Sequence, residues 1–195
     1  MSRRTASIPP DYFEALYEGG RDPWRFATST YERDKYAATL AAIGPARIGR
    51  AWEVGCAIGI FTRALSGQCD SLLGVDAAEN ALAQARDRCA GLANVTFQRM
   101  RIPVDWPSGR FDLIVFSEIL YYLVPDDIRA AARRALLSLS ARGRIVLVHW
   151  TNETDYPVSG DEAATLFLET CGSRVTMPRR DRQDSYRLDV LQAEF

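Results

Sequence analysis

Glu53, Asp76, Glu118 and His149 are the side chains best placed to do chemistry, because each falls at or near the end of an apolar, strand-like run. Glu53 opens Glu53-Val54-Gly55-Cys56-Ala57-Ile58-Gly59, which leads into the helical pattern Ile60-Phe61-Thr62-Arg63-Ala64-Leu65. A short strand, a glycine turn and a helix start in that order form the ligand corner of a Rossmann-like sheet, where glycine lets the backbone approach a ligand closely. Ala57 replaces the middle glycine of the dinucleotide fingerprint, and an acid ahead of the turn repels phosphate. A ligand with a cationic end suits it better. Asp76 ends the run Ser71-Leu72-Leu73-Gly74-Val75 about 20 residues on, where an acid accepts hydrogen bonds from a ribose diol.

Glu118 closes Phe111-Asp112-Leu113-Ile114-Val115-Phe116-Ser117 and is poorly explained as core; it fits a partner for a substrate ammonium or a general base. Tyr121 and Tyr122 follow, one reading as core and the other as pocket. His149, the only histidine, ends Arg144-Ile145-Val146-Leu147-Val148. Its position supports substrate binding or proton transfer, against the common role of a satisfied structural histidine.

These residues need an alternating α/β frame. Asp11–Gly20 and a segment capped by Ser29 or Thr30 and ended by Gly44-Pro45 read as helices, after a frayed stretch over 1–10. Strands are expected near 50–55, 71–76, 94–98, 111–117 and 144–149, with closing strands near 173–177 and 184–193. Helices fall near 59–67, 78–90 and 161–170. The clearest has Ile128, Ala131, Ala132, Ala135, Leu136 and Leu139 on one face, with Gly143 ending the unit.

A chain of 195 residues supports one α/β domain, with 1–45 as a helical cap or lid and 46–195 as the ligand-binding domain. A net charge of −1 gives no footprint for nucleic acid. No apolar run reaches transmembrane length and the start lacks a signal-peptide core, so a soluble cytoplasmic protein is expected. Cys56, Cys69, Cys89 and Cys171 are widely spaced and read as buried thiols, with neither a disulfide framework nor a metal site.

The three strand ends at Glu53–Gly59, Asp76 and Ser117-Glu118 together resemble those of class I S-adenosylmethionine-dependent methyltransferases. Asp22-Pro23-Trp24, Tyr31-Glu32-Arg33, Glu53-Val54-Gly55-Cys56, Ser117 through Leu123 and His149-Trp150 resemble, more narrowly, the nodulation protein S (NodS)-like methyltransferases, over about residues 11–193. The resemblance implies a Rossmann-like three-layer sandwich with a seven-stranded, mostly parallel sheet in the order 3-2-1-4-5-7-6, strand 7 antiparallel. It implies S-adenosylmethionine as donor, S-adenosylhomocysteine as product, no metal, and N-methylation of the free amine of a small molecule such as a deacetylated amino sugar.

Donor-binding positions expected on this basis are Glu53, Gly55, Cys56, Gly59, Asp76, Ala77 and Ser117, with adenine near Arg101 and Ile102. Trp24 and Tyr31 form a lid or simply pack on the sheet, and Arg33 or Arg25 meets the methionyl carboxylate or stays on the surface. Glu118, Tyr121 and His149 are the expected catalytic residues. An O-methyltransferase of small metabolites shares every donor residue and is the alternative. A nicotinamide oxidoreductase and a non-catalytic nucleoside binder are the remaining readings.

Overall fold

Ser29 accepts the Glu32 amide at 3.3 Å and starts a helix whose buried face carries Glu32, Lys35, Thr39 and Ile43. This is α2, Thr30–Ile43; α1, Pro10–Gly19, precedes it. In the computed structural model, which describes residues 3–195, they open a compact unit spanning Pro9–Arg101. Its strands β1 (Ile48–Val54), β2 (Cys69–Asp76) and β3 (Val95–Arg99) are parallel, with β2 between the others. Helices α3 (Ile60–Ser66) and α4 (Glu79–Arg88) connect them. Ala51, Trp52, Val54, Leu72 and Val75 are all buried, as expected of strands covered on both faces.

The second unit comprises the residues up to Ile8 together with Ile102–Phe195. It holds β4 (Phe111–Ser117), a 3-10 turn (Leu120–Tyr122), α5 (Pro125–Leu137), β5 (Leu139–Trp150), α6 (Gly160–Cys171), β6 (Val175–Arg182) and β7 (Tyr186–Ala193). β4 and β5 are parallel, and β7 runs antiparallel to both β5 and β6. The sheet order is β3-β2-β1-β4-β5-β7-β6, the order the resemblance implies. No described helix is long and apolar enough to cross a membrane.

Three expectations need correction. Leu139 belongs to β5, not to the preceding helix, and pairs with Phe111 across a register shift. Gly143 therefore sits inside a strand, where a Cβ would lie 2.9 Å from the Phe111 carbonyl oxygen; close backbone approach explains it. β6 continues past Pro178, which an edge strand tolerates because its N–H side needs no partner. Finally, residues 3–8 are not frayed: the Arg4 amide donates to the Asp155 carbonyl and the Ile8 amide to that of Tyr122, at 3.0 and 2.8 Å. The first two residues of that expected frayed stretch lie outside the described residues.

Candidate active site

Gly55, Ala57 and Gly59 all carry positive φ, so the chain after β1 turns through left-handed conformations that favour glycine. The Gly55 and Cys56 amides both donate to the Val75 carbonyl at 2.9 Å, fastening the turn to the end of β2. At Gly59 a Cβ would meet Cα and Cβ of Ala85 at 3.0 Å, so this glycine lets α3 start against α4. Ala57 occupies the middle-glycine position with φ 47°. Its amide donates to Asp76 Oδ2 at 3.0 Å, and the Ala78 amide donates to Asp76 Oδ1 at 2.9 Å.

Asp76 thus braces the turn and the first turn of α4 together. Each carboxylate oxygen has a further lone pair, so the bracing bonds are compatible with accepting two ribose hydroxyls. Burial pushes the Asp76 carboxyl above its ordinary range despite these amides. Glu53 lies wholly inside the same unit and accepts the Thr62 hydroxyl at 2.6 Å. Burial pushes it up to about 7, opposed by the Thr62 bond and reinforced by repulsion from Asp76. A buried acid and a partly buried one, beside a turn whose Gly55, Cys56 and Ala57 amides are already bonded within the protein, fit a ligand with a cationic end and a ribose diol, and they fit a phosphate poorly. The residues present therefore suit the expected sulfonium nucleoside.

Cys56 is buried and its thiol is raised by burial and by both acids, so it packs and does not act as a nucleophile. Ala77 offers its carbonyl to Arg99 Nε at 2.9 Å. Arg101 is exposed, whereas Ile102 is buried. Trp24 packs, with Phe13 and Phe26, against the cluster of Tyr17, Ile58, Ala78 and Ala81, so the aromatic segment lies over the glycine turn. Its ring centroid is 5.6 Å from those of both Tyr17 and Phe26. Tyr31 is on α2, with the Lys35 ammonium 5.0 Å from its ring centre. Arg33 is 73% exposed and pairs with Asp34. Arg25 is exposed as well.

Sequence reasoning passed over Glu14 and Lys35. The Glu14 carboxylate accepts the Glu79 and Asn80 amides at 3.2 and 3.1 Å, capping α4 from α1 because Ala78, its own N-cap residue, cannot. Lys35, the only lysine, is buried with Glu32 at 3.0 Å. Three-residue spacing between Glu32 and Lys35 on a face that also carries Thr39 was the available signal.

In the second unit, Ser117 stands opposite Val148 and Glu118 follows with φ 58°. The left-handed backbone turns the Glu118 carboxylate so that Oε2 accepts the Tyr121 hydroxyl at 2.9 Å and the Trp150 amide at 2.7 Å. Tyr121 is buried, and its hydroxyl is raised well above the ordinary phenol range by burial and the adjacent carboxylate. Its ring stacks on Tyr156 at 5.5 Å and meets Tyr122 and His149 edge-on at 4.6 and 5.8 Å. Tyr122 in turn meets Tyr156 edge-on at 4.6 Å. His149 is fully buried, and its Nε2 accepts the Leu120 amide at 3.3 Å. The structure thus brings Glu118, Tyr121 and His149 together, with Tyr156 as a fourth member. A carboxylate against aromatic faces and edges suits an ammonium or amine.

A family model for nodulation protein S matches residues 17–153. Nodulation protein S of Bradyrhizobium diazoefficiens is 36% identical over 121 residues, covering 62% of this chain and 58% of that protein. Its counterpart in Rhizobium tropici is 35% identical over 129 residues, covering 64% of this chain and 53% of that protein. The chain thus spans little more than half the length of these relatives. The crystal structure of the N-methyltransferase NodS from Bradyrhizobium japonicum WM9, in complex with S-adenosyl-L-homocysteine, superposes with a TM-score of 0.85. It is 22% identical, and the match covers 96% of this chain and all of that one.

Proposed function

The chain belongs to the nodulation protein S family, and from that premise we propose that it is an S-adenosylmethionine-dependent N-methyltransferase. Its acceptor would be the free amine of a small molecule such as a deacetylated amino sugar. The observation that carries the amine is the Glu118 carboxylate, fixed by Tyr121 and the Trp150 amide among tyrosine rings.

When bound, the donor supplies a methyl group already activated by its sulfonium. Asp76 would hold the ribose hydroxyls, and Glu53 and Asp76 together favour a ligand carrying positive charge. Trp24 and its aromatic neighbours would keep water from the glycine turn.

An amine attacks carbon only through its unprotonated lone pair. Glu118 is therefore assigned to orient the amine and to receive its proton as the new N–C bond forms and the methyl–sulfur bond breaks, with S-adenosylhomocysteine leaving as the neutral thioether. Tyr121 orients Glu118 through its hydroxyl, and His149 is assigned as a positioning residue that holds the 3-10 turn at Leu120. We place the reaction in the cytoplasm, where four free, buried thiols persist without oxidation.

Labelled S-adenosylmethionine offered with glucosamine and with N-acetylglucosamine tests the reading. Methylation of glucosamine alone is expected. Equal methylation of both would point to a hydroxyl acceptor, and label in neither would exclude this class of amine.

A further inference from the structure

Residues 3–8 cross the second unit at several independently held points. The Arg4 amide donates to the Asp155 carbonyl at 3.0 Å, and Arg4 Nε lies 3.3 Å from Asp155 Oδ2. Arg3 pairs with Glu162 in the first turn of α6. Ser7 Oγ accepts the Val124 amide at 2.9 Å and donates to Asp127 Oδ2 at 2.5 Å. Val124 is the N-cap residue of α5 and has no capping side chain; a serine more than a hundred positions away bridges its amide to the Asp127 carboxylate in the helix's first turn. The Ile8 amide donates to the Tyr122 carbonyl at 2.8 Å, and Ile8 itself is buried.

Two of these points flank the tyrosines. Asp155 immediately precedes Tyr156, which stacks on Tyr121; Tyr122 is the next ring in the same cluster. The Arg4–Asp155 and Arg3–Glu162 pairs are about half exposed and hold weakly. The backbone bonds and the Ser7 cap are the stronger ties, since they satisfy amides that would otherwise lose a partner.

We propose that residues 3–8 form a strap that sets Tyr156 against Tyr121 and Tyr122, making Arg4 (through its backbone) and Ser7 positioning residues for acceptor binding. The proposal rests on the amine-site reading of Glu118 and Tyr121, and it adds a segment that reads from sequence as frayed. Loosening the strap frees the Asp155-Tyr156 loop, so the acceptor binds less well while the Pro9–Arg101 unit keeps its affinity for S-adenosylhomocysteine.

Arg4→Pro removes the amide bonded to Asp155, Ser7→Ala removes the partner of the Val124 amide and of Asp127, and Arg4→Ala removes the exposed pair while keeping the Arg4 amide. Hydrogen exchange over 151–158 and KM for glucosamine are measured for each, with S-adenosylhomocysteine affinity as the check on folding. Faster loop exchange and an approximately tenfold higher KM, at unchanged kcat and nucleoside affinity, are expected for Arg4→Pro and Ser7→Ala. Arg4→Ala should move KM less. Unchanged exchange in Arg4→Pro and Ser7→Ala would overturn the strap. Faster exchange with unchanged KM, or a uniform fall in kcat, nucleoside affinity and melting temperature, would overturn its role in acceptor binding. Failure of the underlying amine site shows separately, as Glu118→Gln retaining full turnover on glucosamine with the strap intact.

Discussion

Tyr121 donates its hydroxyl to Glu118 across three residues of chain, at 2.9 Å, and this bond aims the carboxylate at the end of β4. Tyr121→Phe keeps the ring stack on Tyr156 and deletes only the donor. It should lower kcat on an amine about tenfold, the cost of one hydrogen bond to a charged group, with nucleoside affinity unchanged. Glu118→Gln should lose more turnover than Tyr121→Phe. Steady-state kinetics alongside calorimetry check both, and equal loss of kcat and donor binding would contradict the assignment.

The Gly59→Ala variant combines strain at φ 78° with a Cβ 3.0 Å from Ala85. A loss of roughly 2 kcal/mol is expected, a fall of about 4–8 °C in melting temperature for a chain of this length. Adding Ala85→Gly removes the Cβ contact but leaves the one with the Ala85 Cα and the dihedral strain, so the double variant should recover only part of the loss. Full recovery would show that the Ala85 Cβ alone requires glycine there.

Glu53 makes stability depend on pH in a defined direction. Its carboxyl titrates near 4.5 when solvated and is raised to about 7 in the fold. Below the lower value both states hold the proton and the contribution is full. As pH rises from 4.5 toward 7 the unfolded chain releases the proton first, and the ligand-free protein loses about 3 kcal/mol over that window. Denaturation of the wild type and of Glu53→Gln across pH 4–8 checks it: the wild type should lose stability relative to the variant as pH rises. A flat difference would mean that Glu53 ionises normally.

Much of the frame was legible from residues 46 onward, because its signals are local. Gly55 and Gly59 mark a turn by backbone freedom, Asp76 ends an apolar strand, and Ile128 to Leu136 repeat at helical spacing. Strand limits were less legible where glycine and proline had a second meaning: Gly143 permits a close approach within β5, and Pro178 sits on an edge strand. The long-range caps left almost no trace. Glu14 serves α4 from 65 residues away and Ser7 serves α5 from 117. Neither pairing has a spacing rule, because each depends on where the folded chain returns. Arg33 illustrates the same limit, since charge type left it open between a ligand cation and a surface arginine; helical phase turns it to solvent and Lys35 inward.

Asp76 carries the central claim that the first unit holds a sulfonium nucleoside through its ribose. Calorimetric titration of S-adenosylhomocysteine into the wild type and Asp76→Ala measures it directly. A loss of about 1–3 kcal/mol in binding free energy is expected, with the variant still folded by circular dichroism. Affinity equal to the wild type in a folded Asp76→Ala protein would contradict the claim and require the ribose to be held elsewhere.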